Sequence, residues 1–216
     1  MDSGLAQFQF ACYLADKTGA QIWFPEYPIV PEHNGCEALE MAMYLYESML
    51  RECKGEEIAI GGDSAGGALA LSTALQIKDK GLDPAGDLFL LSPACNIIGA
   101  PRNKEEKDYE DLLNSRDRIV STIGFPTVME YWRGPLDKND WRVNPMTGCL
   151  KDLPRMLVFA GGFEAMEMEI RQFVEKAIRE GADITYFCKN GEGHDFLLYK
   201  DTYVEERTLI VNRLLQ

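Results

Sequence analysis

Gly62-Asp63-Ser64-Ala65-Gly66 constrains this chain more than any other stretch of it. It follows the apolar run Glu57-Ile58-Ala59-Ile60-Gly61 and precedes an alanine-rich stretch with helical character. Small residues around a serine are common in loops. Between a legible strand and a legible helix, however, the pentapeptide marks a sharp turn that lifts the serine to the strand end, beside the N-terminus of the helix. The helix dipole and the amide of Ala65 would then face an anion forming next to Ser64. Ser64 is the candidate nucleophile and Ala65 the candidate oxyanion donor.

The rest of the chain supplies the elements for such a turn. Asp2-Ser3 can cap a helix running to about residue 17, and residues 20–24 read as a short strand stopped by Pro25 and Pro28. Leu39, Ala42, Leu45, Tyr46, Met49 and Leu50 fall at helical spacing within 37–53. Residues 57–61 form a strand, 65–80 a helix and 87–91 the next strand. Residues 97–150 break this rhythm, first charged and then rich in aromatics, and read as an insertion over one end of a sheet. Strand 155–160, helix 164–180 closed by Gly181, strand 183–188 and a final helix over 201–215 complete the pattern. Strands alternating with helices imply an α/β fold, with a mainly parallel sheet covered on both faces. At 216 residues, without repeats or an obvious linker, the chain reads as a single domain over 1–216.

In such sheets the site lies outside the carboxyl ends of the strands. A serine hydroxyl needs a neighbouring base, and the chain offers two histidines. His194 lies in the glycine-rich loop Asn190-Gly191-Glu192-Gly193-His194-Asp195, after the last strand, and is the candidate base. His33, in a proline-bounded loop, reads as holding local backbone. The acid that orients the base should follow a strand between Ser64 and His194. Ser92-Pro93-Ala94-Cys95-Asn96 carries no carboxylate, and Asp152 precedes its strand. Glu164, in Gly161-Gly162-Phe163-Glu164, is the candidate acid, although carboxylates in a first helical turn are favoured for their own sake. Asp195 is a rival, with the objection that an adjacent side chain does not easily curl back to its neighbour's ring.

Composition narrows the function. A net charge of −13 argues against a nucleic-acid partner. The six cysteines are scattered, with no C-x-x-C pair, so a cysteine metal centre is not expected. They read as reduced, half-buried thiols of a cytoplasmic protein. No apolar run reaches membrane-spanning length.

Taken in order, Gly62-Asp63-Ser64-Ala65-Gly66-Gly67, the loop from Tyr27 to Pro31-Glu32-His33, Gly161 to Glu164 and Gly193-His194-Asp195-Phe196 resemble the hormone-sensitive-lipase-like branch of the α/β-hydrolases. These matches span nearly the whole chain. The resemblance implies the α/β-hydrolase fold and a serine carboxylester hydrolase acting on small or short-acyl esters through an acyl-serine intermediate. It implies Ser64 as nucleophile, His194 as base, Glu164 in the acid position and no cofactor. The partner implied is a small ester, and a homo-oligomer stays open. One departure stands out: the family's His-Gly-Gly-Gly loop, which supplies oxyanion donors, is absent, and with it the strand leading into that loop. The chain is therefore expected to be an N-terminally incomplete form of a longer enzyme, lacking N-terminal strands. The rival is a naturally shortened chain whose first strand moves in to fill the gap. An impaired or inactive hydrolase-fold binding module, or an acyltransferase or peptidase on the same fold, are the alternative functions. The aromatic-bearing insertion is expected to wall an acyl pocket.

Overall fold

Four strands lie side by side in one parallel sheet, in sequence order: β1 (Ala59–Asp63), β2 (Asp87–Leu91), β3 (Arg155–Gly161) and β4 (Ile184–Lys189). The computed structural model describes residues 3–95, 103–199 and 202–216. Helices α1 (Ser3–Thr18) and α2 (Gly35–Met49) precede the sheet, and α3 (Ser64–Asp79) joins β1 to β2. The insertion between β2 and β3 carries α4 (Lys104–Arg116) and α5 (Phe125–Arg133). α6 (Glu167–Glu180) joins β3 to β4, and α7 (Phe196–Tyr199) and α8 (Val204–Leu214) follow.

Alternation along the central strands explains the layers. Successive strand residues point to opposite faces, and both faces here are apolar. Leu88 and Leu90 pack with Met156, Val158 and Ala160 on one face, beneath Leu71, Ala74 and Leu75 of α3 and Ile170, Phe173 and Ala177 of α6. Phe89, Leu91, Leu157 and Phe159 occupy the other face, under Phe10 of α1, Phe196 and Leu197 of α7 and Ile210 of α8. A further layer sets α2, through Leu39, Met43 and Tyr46, against Leu69 and Ile77 of α3 and against Met129 and Trp132 of α5.

The register aligns the strand ends. Asp63 pairs with Leu91, Leu91 with Phe159 and Phe159 with Phe187, so the segments after all four strands emerge along one edge. Asn34 caps α2 through a reciprocal capping box with Glu37, and Gly181 ends α6 at φ 78°.

Several expectations shift. Residues 20–24 form no strand, and they do not move in beside β1. An extended segment has no internal hydrogen bonds and becomes a strand only by pairing. Phe24 is instead exposed, with its ring set edge-on to that of Phe8. The outer edge of β1 is accordingly unpaired among the described residues. β1 begins and ends two residues later than the sequence suggests, so Ser64 directly opens the helix. The final helix starts at Val204, after the separate turn α7; the expected start near 201, the cap at Asp2 and the first residues of the insertion lie outside the described residues. All six cysteines are free, but only Cys36 and Cys53 are half-buried: Cys95 is buried and Cys12, Cys149 and Cys188 are exposed. Among the described residues no helix is long and apolar enough to cross a membrane.

Phe159 is 1 % exposed and stacks on Phe187 with ring centroids 5.2 Å apart. Phe159→Ala should therefore cost about 3–5 kcal/mol, because the sheet cannot collapse into the space left behind; urea unfolding followed by circular dichroism would measure it.

Candidate active site

The turn after β1 is tight because two glycines and one strained residue make it so. Ser64 has φ 51°, a left-handed conformation that is rare outside glycine and that gathers at functional sites. A Cβ at Gly62 would lie 2.3 Å from the carbonyl oxygen of Gly66, and one at Gly67 would lie 2.9 Å from Cβ of Pro93. These two glycines are required by close approach. Gly66, by contrast, has nothing nearer than 3.9 Å to an added Cβ. The amide of Ala94 donates to the carbonyl of Ser64 at 3.0 Å, tying the turn to the segment after β2. Ala65 is the second residue of α3, where a backbone N–H has no intrahelical partner.

Two other loops bring the acid to the base. Gly161, the last residue of β3, would drive a Cβ to within 2.3 Å of the Gly193 carbonyl oxygen, so only glycine lets the loops meet this closely. Glu164 is fully buried and His194 is 2 % exposed. Oε2 of Glu164 lies 2.8 Å from Nδ1 of His194, while its Oε1 accepts from the amide of Gly161 at 2.9 Å. The hydroxyl of Ser92 also hydrogen-bonds Glu164, and the same oxygen accepts from the amide of Asp195 at 3.0 Å. Ser92, at φ 41°, thus links the acid and base loops from the end of β2.

Asp195 reaches the other side of the ring. Its Oδ2 lies 3.1 Å from Nε2 of His194, correcting the expectation that a sequence neighbour cannot curl back. Asp195 has a left-handed backbone, at φ 53°. Burial alone would lower the pKa of His194, but hydrogen bonds to Asp195 and Glu164 outweigh it and push it up to about 10. Burial raises Glu164 against the pull of His194, Ser92 and Gly161. It likewise raises Asp195 to about 6, against the attraction of His194.

The structure therefore joins Glu164 and His194 as the sequence suggests. It sets Ser64 on the same sheet edge, but the ring nitrogens of His194 meet the two carboxylates, Glu164 by a hydrogen bond and Asp195 by an ion-pair contact, and not the Ser64 hydroxyl. His33 pairs with Glu37 at 3.1 Å on the surface, the local role expected of it, and Asp152 sits before β3 at the opposite edge. No group of ionisable residues among those described could hold a metal ion.

Some contributions were not foreseen. Besides Ser92, the insertion clamps the acid loop. Asp117 accepts from the amide of Ala165 at 2.8 Å, Arg116 lies over the ring of Phe163 at 4.8 Å, and Tyr109 donates to Glu167 at 3.1 Å. No spacing rule could have joined residues so far apart in the chain. Two of the insertion's aromatics pack internally: Trp132 is buried against Gly35 and α2, and Trp141 packs on the core beside α3. A polar cleft of about 420 Å³ lined by Gln76, Asp79, Trp141 and Arg142 opens at the far end of α3 and is no part of this constellation.

A family model described as alpha/beta hydrolase fold matches residues 5–198. An esterase of Acinetobacter venetianus is 27% identical over 201 residues, covering 92% of this chain and 64% of that protein. An acetyl-hydrolase of Streptomyces hygroscopicus is 24% identical, covering 80% and 56% respectively. The chain thus spans less than two thirds of the length of these relatives. Among solved structures, a hormone-sensitive lipase from a metagenome library superposes with a TM-score of 0.84 at 24% identity, over 94% of this chain and 67% of that one. An esterase named E25 gives 0.79 at 21% identity, over 88% and 58%.

The pH dependence of stability follows from the histidine. Its folded pKa lies above the ordinary 6.5, so its contribution is complete below about pH 6.5 and is lost as the pH rises through about 10. The gap in unfolding free energy between the wild type and His194→Gln should accordingly narrow between pH 7 and pH 11 in matched urea titrations.

Proposed function

We propose, from the premise that this chain belongs to the α/β-hydrolase fold family, that it is a serine carboxylester hydrolase with Ser64 as nucleophile, His194 as general base and Glu164 as the orienting acid. The supporting observation is the buried Glu164–His194 contact of 2.8 Å, on the sheet edge that also carries the strained Ser64. With Nδ1–H of His194 donated to Glu164, Nε2 is the nitrogen left to take the Ser64 proton. The hydroxyl oxygen attacks the ester carbonyl, the imidazolium returns the proton to the leaving alcohol, and water releases the acyl group by the same steps in reverse. The amide of Ala65 donates to the tetrahedral oxyanion. One such donor is worth about 10²–10³ in kcat. Names among the relatives, an esterase and an acetyl-hydrolase, support small acyl esters as substrates. The exposed free thiols of Cys12, Cys149 and Cys188 support a reducing compartment such as the cytoplasm.

A second reading, an inactive hydrolase-fold binding module, is favoured by one observation: Nε2 of His194 is engaged by Asp195 rather than by Ser64. Covalent labelling separates the two. A fluorophosphonate probe should label wild-type protein at Ser64 and leave Ser64→Ala unlabelled. Glu164→Gln should lower the hydrolysis rate of a p-nitrophenyl ester by roughly 10³–10⁴, because an amide misplaces the tautomer of the base. Absence of labelling across pH 6–11 would favour the binding module.

A further inference from the structure

The immediate surroundings of Nε2 of His194 hold a carboxylate that the ester-hydrolysis reading does not use. We propose that Asp195 is a positioning residue that latches His194: its carboxylate occupies the ring nitrogen that Ser64 requires, and an ester bound over Ser64 must displace it before the base can act. This rests on the assignment of Ser64 and His194 above.

Three observations support the latch. The first is direct: Oδ2 of Asp195 sits 3.1 Å from Nε2, so an imidazole held by Glu164 on one side is held by Asp195 on the other. A ring flanked by two carboxylates, one hydrogen-bonded and one in ion-pair contact, is stabilised as the cation, and a cation cannot accept the serine proton. The second is that this hold leaves a polar atom unsatisfied. Asp195 is 4 % exposed, and its Oδ1 is buried without a hydrogen-bond partner among the described residues. An orphaned buried oxygen works against the latched arrangement and favours leaving it once another group offers a donor or fills the space. The third is backbone geometry. Asp195 adopts φ 53°, with its amide fixed on the Ser92 hydroxyl, so the backbone that carries the carboxylate is held in place beside the ring.

The charged surroundings agree. Among the described residues, the groups facing Asp195 are His194 itself, Glu164 from the loop after β3, Asp63 at the end of β1 and Tyr199 of α7. The imidazolium is the only cation among them. Asp63 and Glu164 repel the Asp195 carboxylate, so its hold depends on the ring staying charged. Glu164 lacks this tension, because its oxygens are met by His194, Ser92 and the Gly161 amide. The two carboxylates are thus unequal: one is a fixed partner and the other a releasable one.

Asp195→Asn removes the charge, and Asp195→Gly removes the side chain while accepting the positive φ. The ionisation of His194 is read from its Cε1 chemical shift over pH 5–11 in wild type, in both variants and in Glu164→Gln. Fluorophosphonate labelling of Ser64 is followed over the same range. Expected is a fall in the His194 pKa by more than one unit in both Asp195 variants, with the labelling inflection falling in step. Labelling at pH 7 then rises about tenfold for each unit lost, as the neutral ring becomes more populated. An unmoved His194 titration in folded Asp195→Asn and Asp195→Gly would overturn the latch. So would a lowered pKa with slower labelling, since Asp195 would then assist the base. If Ser64 is not labelled in any protein, the hydrolase assignment fails and the latch fails with it as a catalytic device. The histidine titration tells that outcome apart from a failure of the contact alone.

Discussion

The contact between Glu164 and His194 is the interaction on which the site depends. Both groups are buried, and a carboxylate without a partner there would leave a charge in a poorly solvated interior at a cost of several kcal/mol. Each exists in its place because the other does. The pair can form because β3 and β4 are neighbours in register, with Gly161 opposite Lys189, and because a glycine at 161 lets the acid loop pass beneath the carbonyl of Gly193. The carboxylate is then satisfied at both oxygens, by His194 on one and the Gly161 amide on the other.

Around this pair the chain stores backbone strain at three points on one edge. Ser64, Ser92 and Asp195 all have positive φ, and they follow β1, follow β2 and precede α7. Ser92 and Asp195 turn their polar side chains onto Glu164 and His194 there. Strain of this kind costs about 1–3 kcal/mol per residue and persists where the surroundings over-determine it. Those surroundings are visible: the Ser64 carbonyl is held by Ala94, the Asp195 amide by Ser92, and the amide after Glu164 by Asp117 of the insertion. The insertion therefore contributes to the site by bracing the acid loop. Its two tryptophans, Trp132 and Trp141, do their work in packing.

The parts of the molecule legible in sequence share a local cause. The limits of β2 follow from a run of apolar residues between breakers, and the end of α6 from a glycine able to adopt positive φ. Ser64, His194 and Glu164 could be placed on one edge because each follows a strand, and in a parallel sheet all strand ends point the same way. Residues 20–24 were misread for the opposite reason. Apolar composition gives a segment the capacity to pair, but a strand exists only where a neighbour supplies the ladder. The same limit hid the contacts of Ser92, whose Ser-Pro pairing after β2 shows in the sequence without its partners, and of Asp117, which is far from Ala165 in the chain.

Sequence alone determined the layered parallel sheet, the sharp turn at Ser64 and the candidacy of His194 with Glu164, because periodicity, glycine placement and chain order are properties of neighbouring residues. Tertiary structure decided which atoms those side chains meet. It set Nδ1 of His194 on Glu164, and it folded Asp195 onto Nε2 through a left-handed backbone conformation. It also left the edge of β1 without a paired strand among the described residues. These outcomes depend on distances between segments remote in the chain, and such distances arise only when the whole sheet and its covering helices pack together.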